Sequence, residues 1–277
     1  MKRRYIRITF VIIALAAAAA VVIGDLARRR VAGRKLREAI LAELQPVVLK
    51  NCTLKRFGSA NDGGYLMCEN LIEPIDAAYS YGVGINDDWG CDVSRRYHVP
   101  VQQYDCFDPA RPTCNPGQPG FVFHNECVGN RTGYRNSHFF DTLQNQIRKN
   151  GDIGRRLIIK MDIEGAEWES LLAAPDELLA SIPQIAMEMH GFDDPKILEV
   201  LRKLKRNFYV VNLHFNNWSC TPKASPLPAW AYQVLWVNKR IGVIDQAAPI
   251  PAPMSPLNAP DSPTWPDCQL RTPTSDR

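Results

Sequence analysis

Three short runs in this sequence place carboxylates and imidazoles at the ends of apolar segments. Leu157-Ile158-Ile159-Lys160-Met161 runs into Asp162-Ile163-Glu164-Gly165-Ala166-Glu167. The segment from Gln184 to Met189 carries Glu188 and then reaches His190-Gly191, and the segment from Phe208 to Leu213 leads into His214-Phe215-Asn216. Acids beside an apolar strand are costly unless they serve a site or cap a helix. Asp162, Glu188 and His190 are therefore the candidate catalytic residues, and a general base fits the set. Oxygen and imidazole ligands from Asp162, Glu188, His190 and His214 would equally suit a divalent cation. Glu167 falls where a first helical turn would favour an acid through the helix dipole.

A second group suits a nucleoside. Ser80-Tyr81-Gly82-Val83-Gly84-Ile85-Asn86-Asp87 ends an apolar run with two glycines, which allow a tight turn and close backbone approach to a ligand. Roughly twenty residues later, Tyr104-Asp105-Cys106-Phe107-Asp108-Pro109 ends another. An acid there accepts both hydroxyls of a ribose. Asp108 is the candidate, with Asp105 read as lying inside the strand.

These residues need a scaffold that gathers strand ends. Segments 77–83, 101–107, 120–124, 157–161, 184–189, 208–213 and 232–238 read as strands, and 88–97, 141–149, 166–174 and 195–205 as helices. Asp62-Gly63-Gly64 before an apolar run reads as a turn into a further strand. No good helix separates the last two strands, which suits an antiparallel final pair. The alternation predicts an α/β fold: a Rossmann-like, seven-stranded, mostly parallel sheet with helices on both faces and the last strand antiparallel. Ligands in such sheets bind at the carboxyl ends of the strands.

The run from Leu157 to Glu167 resembles the IKxDxEGxE signature of FkbM-type methyltransferases, and Glu188-Met189-His190 resembles that family's E-x-H strand end. Asn125-Glu126-Cys127-Val128-Gly129 resembles its segment after the third strand. Arg56-Phe57-Gly58, Asp62-Gly63-Gly64-Tyr65, Phe107-Asp108-Pro109 and His214-Phe215-Asn216-Asn217-Trp218 are more similar to the animal methyltransferase-like 24 group, which looks membrane-anchored or secreted. The resemblance spans roughly residues 50–240. It implies a class I methyltransferase that binds S-adenosyl-L-methionine and methylates a hydroxyl, such as one on a glycan. By position it implies that Gly82, Gly84, Asp108, Asn125 and Asp162 bind the cofactor, with Asp162 near methyl transfer. The chain departs from the broad methyltransferase pattern at Ser80, where an acid is common, and at Asn86, where a third glycine is common.

Three rivals remain. A membrane-anchored glycosyltransferase would use an acidic pair such as Asp162-Ile163-Glu164 to hold a metal and a nucleotide sugar, but the glycine loop before a second-strand acid argues against it. A nicotinamide oxidoreductase needs a third glycine where Asp87 stands. A degenerate, non-catalytic binding domain would account for Ser80 and Asn86.

The 277 residues, 45% hydrophobic and 22% charged, suffice for one large core plus appendages. The net charge of +4 is concentrated around an apolar run, Ile8 to Ile23, so no nucleic-acid surface is inferred. That run would span about 24 Å. It reads as an N-terminal transmembrane anchor, with a cleaved signal peptide as the alternative. Eight cysteines without a CxxC pair permit disulfides, whose pairing the sequence leaves open. Together with acceptor patterns at Asn51, Asn130 and Asn217, they favour a single-pass type II protein with a lumenal domain in the Golgi or endoplasmic reticulum. A cytosolic-facing domain with buried thiols is the alternative. The chain divides into a basic flank and anchor (1–30), a helical stalk (31–49), the methyltransferase-like domain (50–245) and a Pro-rich tail read as disordered (246–277).

Overall fold

The computed structural model describes residues 24–25, 27–108, 112, 114, 120–249, 255 and 257–268. The apolar run 8–23 lies outside them, and no helix among the described residues is long and apolar enough to cross a membrane.

Helix α1 (residues 27–43) leads into an antiparallel hairpin of β1 (Leu54–Phe57) and β2 (Tyr65–Cys68). Alternation follows: β3 (Ala77–Tyr81), α2 (Asp88–Tyr97), β4 (Val101–Tyr104) and β5 (Phe121–His124). A small sheet of β6 (Cys127–Gly129), β7 (Gly133–Arg135) and β8 (His138–Thr142) precedes α3 (Leu143–Lys149). Then come β9 (Leu157–Met161), α4 (Glu167–Ala173), α5 (Asp176–Ser181), β10 (Gln184–His190), α6 (Pro195–Asn207), β11 (Phe208–Phe215) and β12 (Ala231–Asn238).

The main sheet has seven strands in the order β11-β12-β10-β9-β3-β4-β5. Only β12 runs against its neighbours, inserted between β10 and β11. This is a mixed α/β fold with a mostly parallel sheet flanked by helices, and it fits a Rossmann-like architecture. Strand β3 shows why the segments read as continuously apolar: Ala77, Tyr79 and Tyr81 face one core with α1, α3, α4, α5 and α6, while Ala78 faces a second. Strands buried on both faces lose the polar alternation of half-exposed ones. The second core is covered by Trp89 and Val93 of α2 and by Phe57, Tyr65 and Met67 of the hairpin. A β-hairpin thus covers part of the face for which helices alone were expected.

All eight cysteines are paired: Cys52–Cys68, Cys91–Cys114, Cys106–Cys127 and Cys220–Cys268. The last corrects, for residues 257–268, the reading of the C-terminal segment as disordered; residues 269–277 lie outside the described ones. Residues 257–268 pack against β12 and the turn after β11, because polar side chains there bond both the backbone and the side chains of the proline-rich chain. The Asn217 amide donates to the Ser262 and Trp265 carbonyls at 2.9 and 2.8 Å, and Gln233 Nε2 donates to Asp261 Oδ1 at 3.0 Å. The helix expected from residue 141 begins at Leu143, because Asp141 and Thr142 pair in β8 and Thr142 caps the helix.

Asp261 is nearly fully buried at this junction. Burial and then the Asp62 charge push its carboxyl from 3.8 to about 7, against the lowering effect of Arg56. The unfolded chain gives up this proton near 3.8, whereas the folded chain holds it to about 7. The contribution to stability is therefore greatest below pH 4 and is lost as pH rises towards 7. Asp261→Asn is expected to stabilise the domain by on the order of 1–4 kcal/mol at pH 8, the gain closing as pH falls towards 4. Thermal melts across that pH range check it.

Candidate functional site

The chain turns from β3 to β4 and β5 on one side of the sheet and returns through β9 to β10 on the other, so the strand order reverses between β3 and β9. A crevice at the carboxyl ends of the strands belongs at such a switch point. A cavity of about 710 Å³ opens there, lined by Gly82, Gly84, Asp108 and Asp162 among others. That volume suits a cofactor-sized ligand. The structure thus brings together four of the five expected nucleoside-binding residues. Asn125 is exposed and does not line the cavity; the wall is formed by the residues after it, Glu126, Cys127 and Val128. It sits in the turn between β5 and β6, where the chain passes to the small sheet.

The two glycines act differently. Gly82 has φ of 72°, and a Cβ on it would lie 1.6 Å from the Asp162 carbonyl oxygen. It allows the β3 and β9 exits to touch. Gly84 has φ of 53°, and a Cβ there would meet nothing within 4 Å. Its bare backbone faces the open cavity.

Asp105 lies just past β4, not inside it. Its carboxylate accepts from the Gly84 amide at 2.9 Å and from the Phe107 and Asp108 amides at 2.9 and 3.0 Å. It ties the glycine loop to the next strand's exit and leaves Asp108 as the acid further along the wall. The Cys106–Cys127 disulfide joins that wall to β6.

Asp87, at the end of the glycine loop, turns inward. It caps α2 by accepting from the Gly90 amide and also takes bonds from Ser80 and Gln103. The helix N-terminus that would otherwise attract a phosphate is closed by the protein's own carboxylate.

Asp162 is held from three sides. The Tyr65 hydroxyl donates to its Oδ2 at 2.9 Å, Lys160 Nζ lies 3.5 Å away, and His190 Nε2 lies 3.8 Å from Oδ1. The Lys160 ammonium also donates to the Gly82 carbonyl at 2.6 Å, so a buried charge pins the glycine turn from below. Neither Tyr65 nor Lys160 stood among the expected site residues. A lysine inside an apolar strand was the available signal for the second.

His190 is buried, with Nδ1 2.9 Å from Oε1 of the fully buried Glu167 and Nε2 3.6 Å from Glu164. Burial disfavours its charge, but the hydrogen bond and charge of Glu167, with Glu188 and Asp162, outweigh this and raise it to about 9. At neutral pH His190 therefore favours its protonated, hydrogen-bond-donating form. Glu188, two residues earlier on β10, is pushed up to about 8 by burial and the charge of Asp162, and its Oε1 accepts from Asn216 at 2.6 Å.

The expected four-residue cation set does not assemble. Strand β12 stands between β10 and β11, so Gln233 separates Glu188 from His214 in register. His214 faces Asp267 at 3.4 Å instead. A different set forms: ligand atoms of Asp162, Glu164 and His190 all lie within 4.8 Å of one another. Glu164 reaches it from a left-handed φ of 55°, uncommon for a residue with a side chain.

The charge lining the cavity is one-sided. Asp62, Asp105, Asp108, Glu126, Asp162 and Glu164 face it, against Lys160 as the only cation among the described lining residues. Exposed apolar side chains, Ile85 and Phe107, border the same space.

No family model matches the chain, and no curated protein does. Among solved structures, a Thermoplasma acidophilum protein aligns with a TM-score of 0.32 at 14% identity, over 64% of this chain and 82% of that one.

The glycine geometry separates two substitutions. Gly82→Ala is expected to abolish stable folding or lower stability by more than about 3 kcal/mol, because backbone must move. Gly84→Ala should cost only about 1 kcal/mol of backbone strain while weakening any ligand that lies against that backbone. Chemical denaturation of both variants measures the difference.

Proposed function

We propose that this chain is an S-adenosylmethionine-dependent methyltransferase of the FkbM-like kind, acting on a hydroxyl acceptor such as a glycan. The observation that carries this reading is the acid excess of a nucleoside-sized cavity at the switch point. A pyrophosphate would be repelled by six carboxylates and would find the α2 N-terminus already capped by Asp87. This weighs against a nicotinamide dinucleotide and against a nucleotide sugar. A ligand carrying positive charge beside a ribose suits the same lining. The seven-stranded sheet with one reversed strand also agrees with what the sequence resemblance implies.

The cofactor supplies a methyl group already activated on a sulfonium. The protein's part is positioning and charge. Gly84 offers a bare edge for close approach, and Asp108 is the acid for ribose hydroxyls. Ile85 and Phe107 offer apolar contact for a base. Asp162, fixed by Tyr65 and Lys160, is the carboxylate that accepts the proton of the attacking hydroxyl. The protonated His190 and neutral Glu188 orient and soften the charge around it.

A divalent cation is favoured by one further observation. Asp162, Glu164 and His190 offer hard oxygen and imidazole donors at chelating spacing, and Glu167 holds the far ring nitrogen as an orienting carboxylate does in metal sites. The same three residues would hold a Mg²⁺- or Mn²⁺-type ion as an aid to orienting the acceptor oxygen. Calorimetric titration of the chelator-treated protein with each ion, repeated on Glu164→Ala, tests this; no saturable binding sinks it.

Four disulfides support an oxidising compartment. With the apolar run at 8–23, the reading extends to a type II membrane protein whose domain lies in the secretory lumen.

Asp108→Ala is expected to weaken S-adenosylhomocysteine binding about 10- to 100-fold, the worth of a charged hydrogen bond. Asp162→Asn should lower methyl transfer by about 10²–10⁴ with a smaller change in binding. Calorimetry and transfer of labelled methyl to a hydroxyl-acceptor panel provide the readouts. Absence of S-adenosylhomocysteine binding to the unaltered chain would overturn the proposal.

A further inference from the structure

A second hollow, of about 390 Å³, is built from the turn after β11 and the C-terminal segment. Its walls carry Trp218 and Trp265, whose rings lie 6.0 Å apart at 39° and are 62% and 57% exposed. Each indole left in water forgoes a large apolar burial, so two beside one groove call for a ligand.

The groove is rigid on both sides. Asn217, between β11 and Trp218, is buried; its amide donates to the Ser262 and Trp265 carbonyls, and its Oδ1 accepts from the Ser262 amide at 2.8 Å. The Cys220–Cys268 disulfide closes the same walls covalently. The indoles are therefore held ready, which spares a ligand the cost of ordering them.

The chemistry of the lining narrows the occupant. No basic side chain is present among the described lining residues, so a phosphate or sulfate finds no partner. Asp267, Thr221 and Ser225 add polar groups beside the flat indole faces. A pyranose ring offers the complementary pattern: one face of C–H groups to lie on an aromatic ring and hydroxyls at its edge to meet polar side chains.

The polar lining separates a sugar from the other ligand that lies on indoles, a proline-rich peptide. The groove and the cavity are lined by different residues, and side chains that line neither connect them. Asn216, which accepts from the Trp218 amide, donates to Glu188 at 2.6 Å. Asp267 contacts His214, and the Trp230 ring lies 5.9 Å from that of His190. A sugar supplies hydroxyls to meet Asp267, Thr221 and Ser225, where a run of prolines has none.

We propose that the Trp218–Trp265 groove is a binding subsite for a neutral pyranose ring. Its role in holding the acceptor rests on the methyltransferase reading; its saccharide binding does not need it.

The test uses the full chain in detergent, titrated calorimetrically with methyl pyranosides of glucose, galactose, mannose, fucose and N-acetylglucosamine and with their disaccharides. At least one probe is expected to bind saturably. Trp218→Ala and Trp265→Ala should each weaken that probe about tenfold or more, while S-adenosylhomocysteine binding stays within about twofold of the unaltered chain. Cys220→Ser with Cys268→Ser should weaken saccharide binding in the same direction. Saccharide binding that persists in a protein unable to bind S-adenosylhomocysteine supports the groove and removes only its role in methyl transfer. No binding by any saccharide, binding unchanged in both tryptophan variants, or capture of a proline-rich peptide in preference to every sugar overturns the proposal.

Discussion

The contact between Gly82 and the Asp162 carbonyl governs the site. Parallel strands β3 and β9 stay hydrogen-bonded one residue past their ends, with the Asp162 amide donating to Tyr81 at 3.1 Å, and then part. At that parting the backbones are too close for any Cβ at position 82. Lys160 reaches up from β9 to the Tyr81 and Gly82 carbonyls and fixes the turn, and the same ammonium lies beside the Asp162 carboxylate. One buried lysine thus positions the glycine loop and the key acid together. An exposed ion pair would contribute little, but here the charge is enclosed and its donors are answered by backbone oxygens.

Charge is the second constraint. Acids crowd around Asp162, and burial makes Glu188 and Asp261 harder to ionise. Glu188 and Asp261 respond by keeping protons, and His190 by gaining one. The imidazole can serve the surrounding carboxylates as a proton carrier or as a cation ligand, but not as both at once, because a ligating nitrogen must be free of its proton. Glu167 fits either state: it holds Nδ1 in both and leaves Nε2 directed at Asp162 and Glu164. On the proposed reading, a proton and a metal ion would compete for the one ring nitrogen that Glu167 leaves free.

Much of this was legible in the residues. Helix 88–97 and strand 157–161 match their expected ranges: Asp87 caps the helix, and charged residues flank a strand that is apolar but for Lys160. Gly82, Gly84, Asp108 and Asp162 could be placed at strand ends, and parallel topology then brings strand ends together. What failed did so for physical reasons. Strands β6 and β7 have three residues each, too short for any period to show. Asp105 was assigned to the strand because its three backbone partners are invisible without a fold. His214 was grouped with Glu188 because their strands follow one another in sequence, whereas the antiparallel β12 enters between them. The C-terminal segment has the composition of a disordered tail, and what orders it is a set of distant side chains, Asn61, Asn217 and Gln233, together with Cys220.

The sheet divides its labour along one boundary. On the β3, β4 and β5 side the lining is glycine backbone, acid and a disulfide-fixed wall, which on the proposed reading would meet a small charged ligand. On the β10, β11 and β12 side it is the Asn217 amide and two exposed indoles, which on the proposed reading would meet a neutral ligand. Asp162, Glu188 and His190 lie on the line between. This arrangement explains why the proline-rich segment is retained against the domain by both a disulfide and a buried asparagine: without it the second side would have only one wall. The hairpin on the second face serves the first side instead: it is β2 that carries Tyr65 to the Asp162 carboxylate, so the departure from a purely helical cover is tied to that acid.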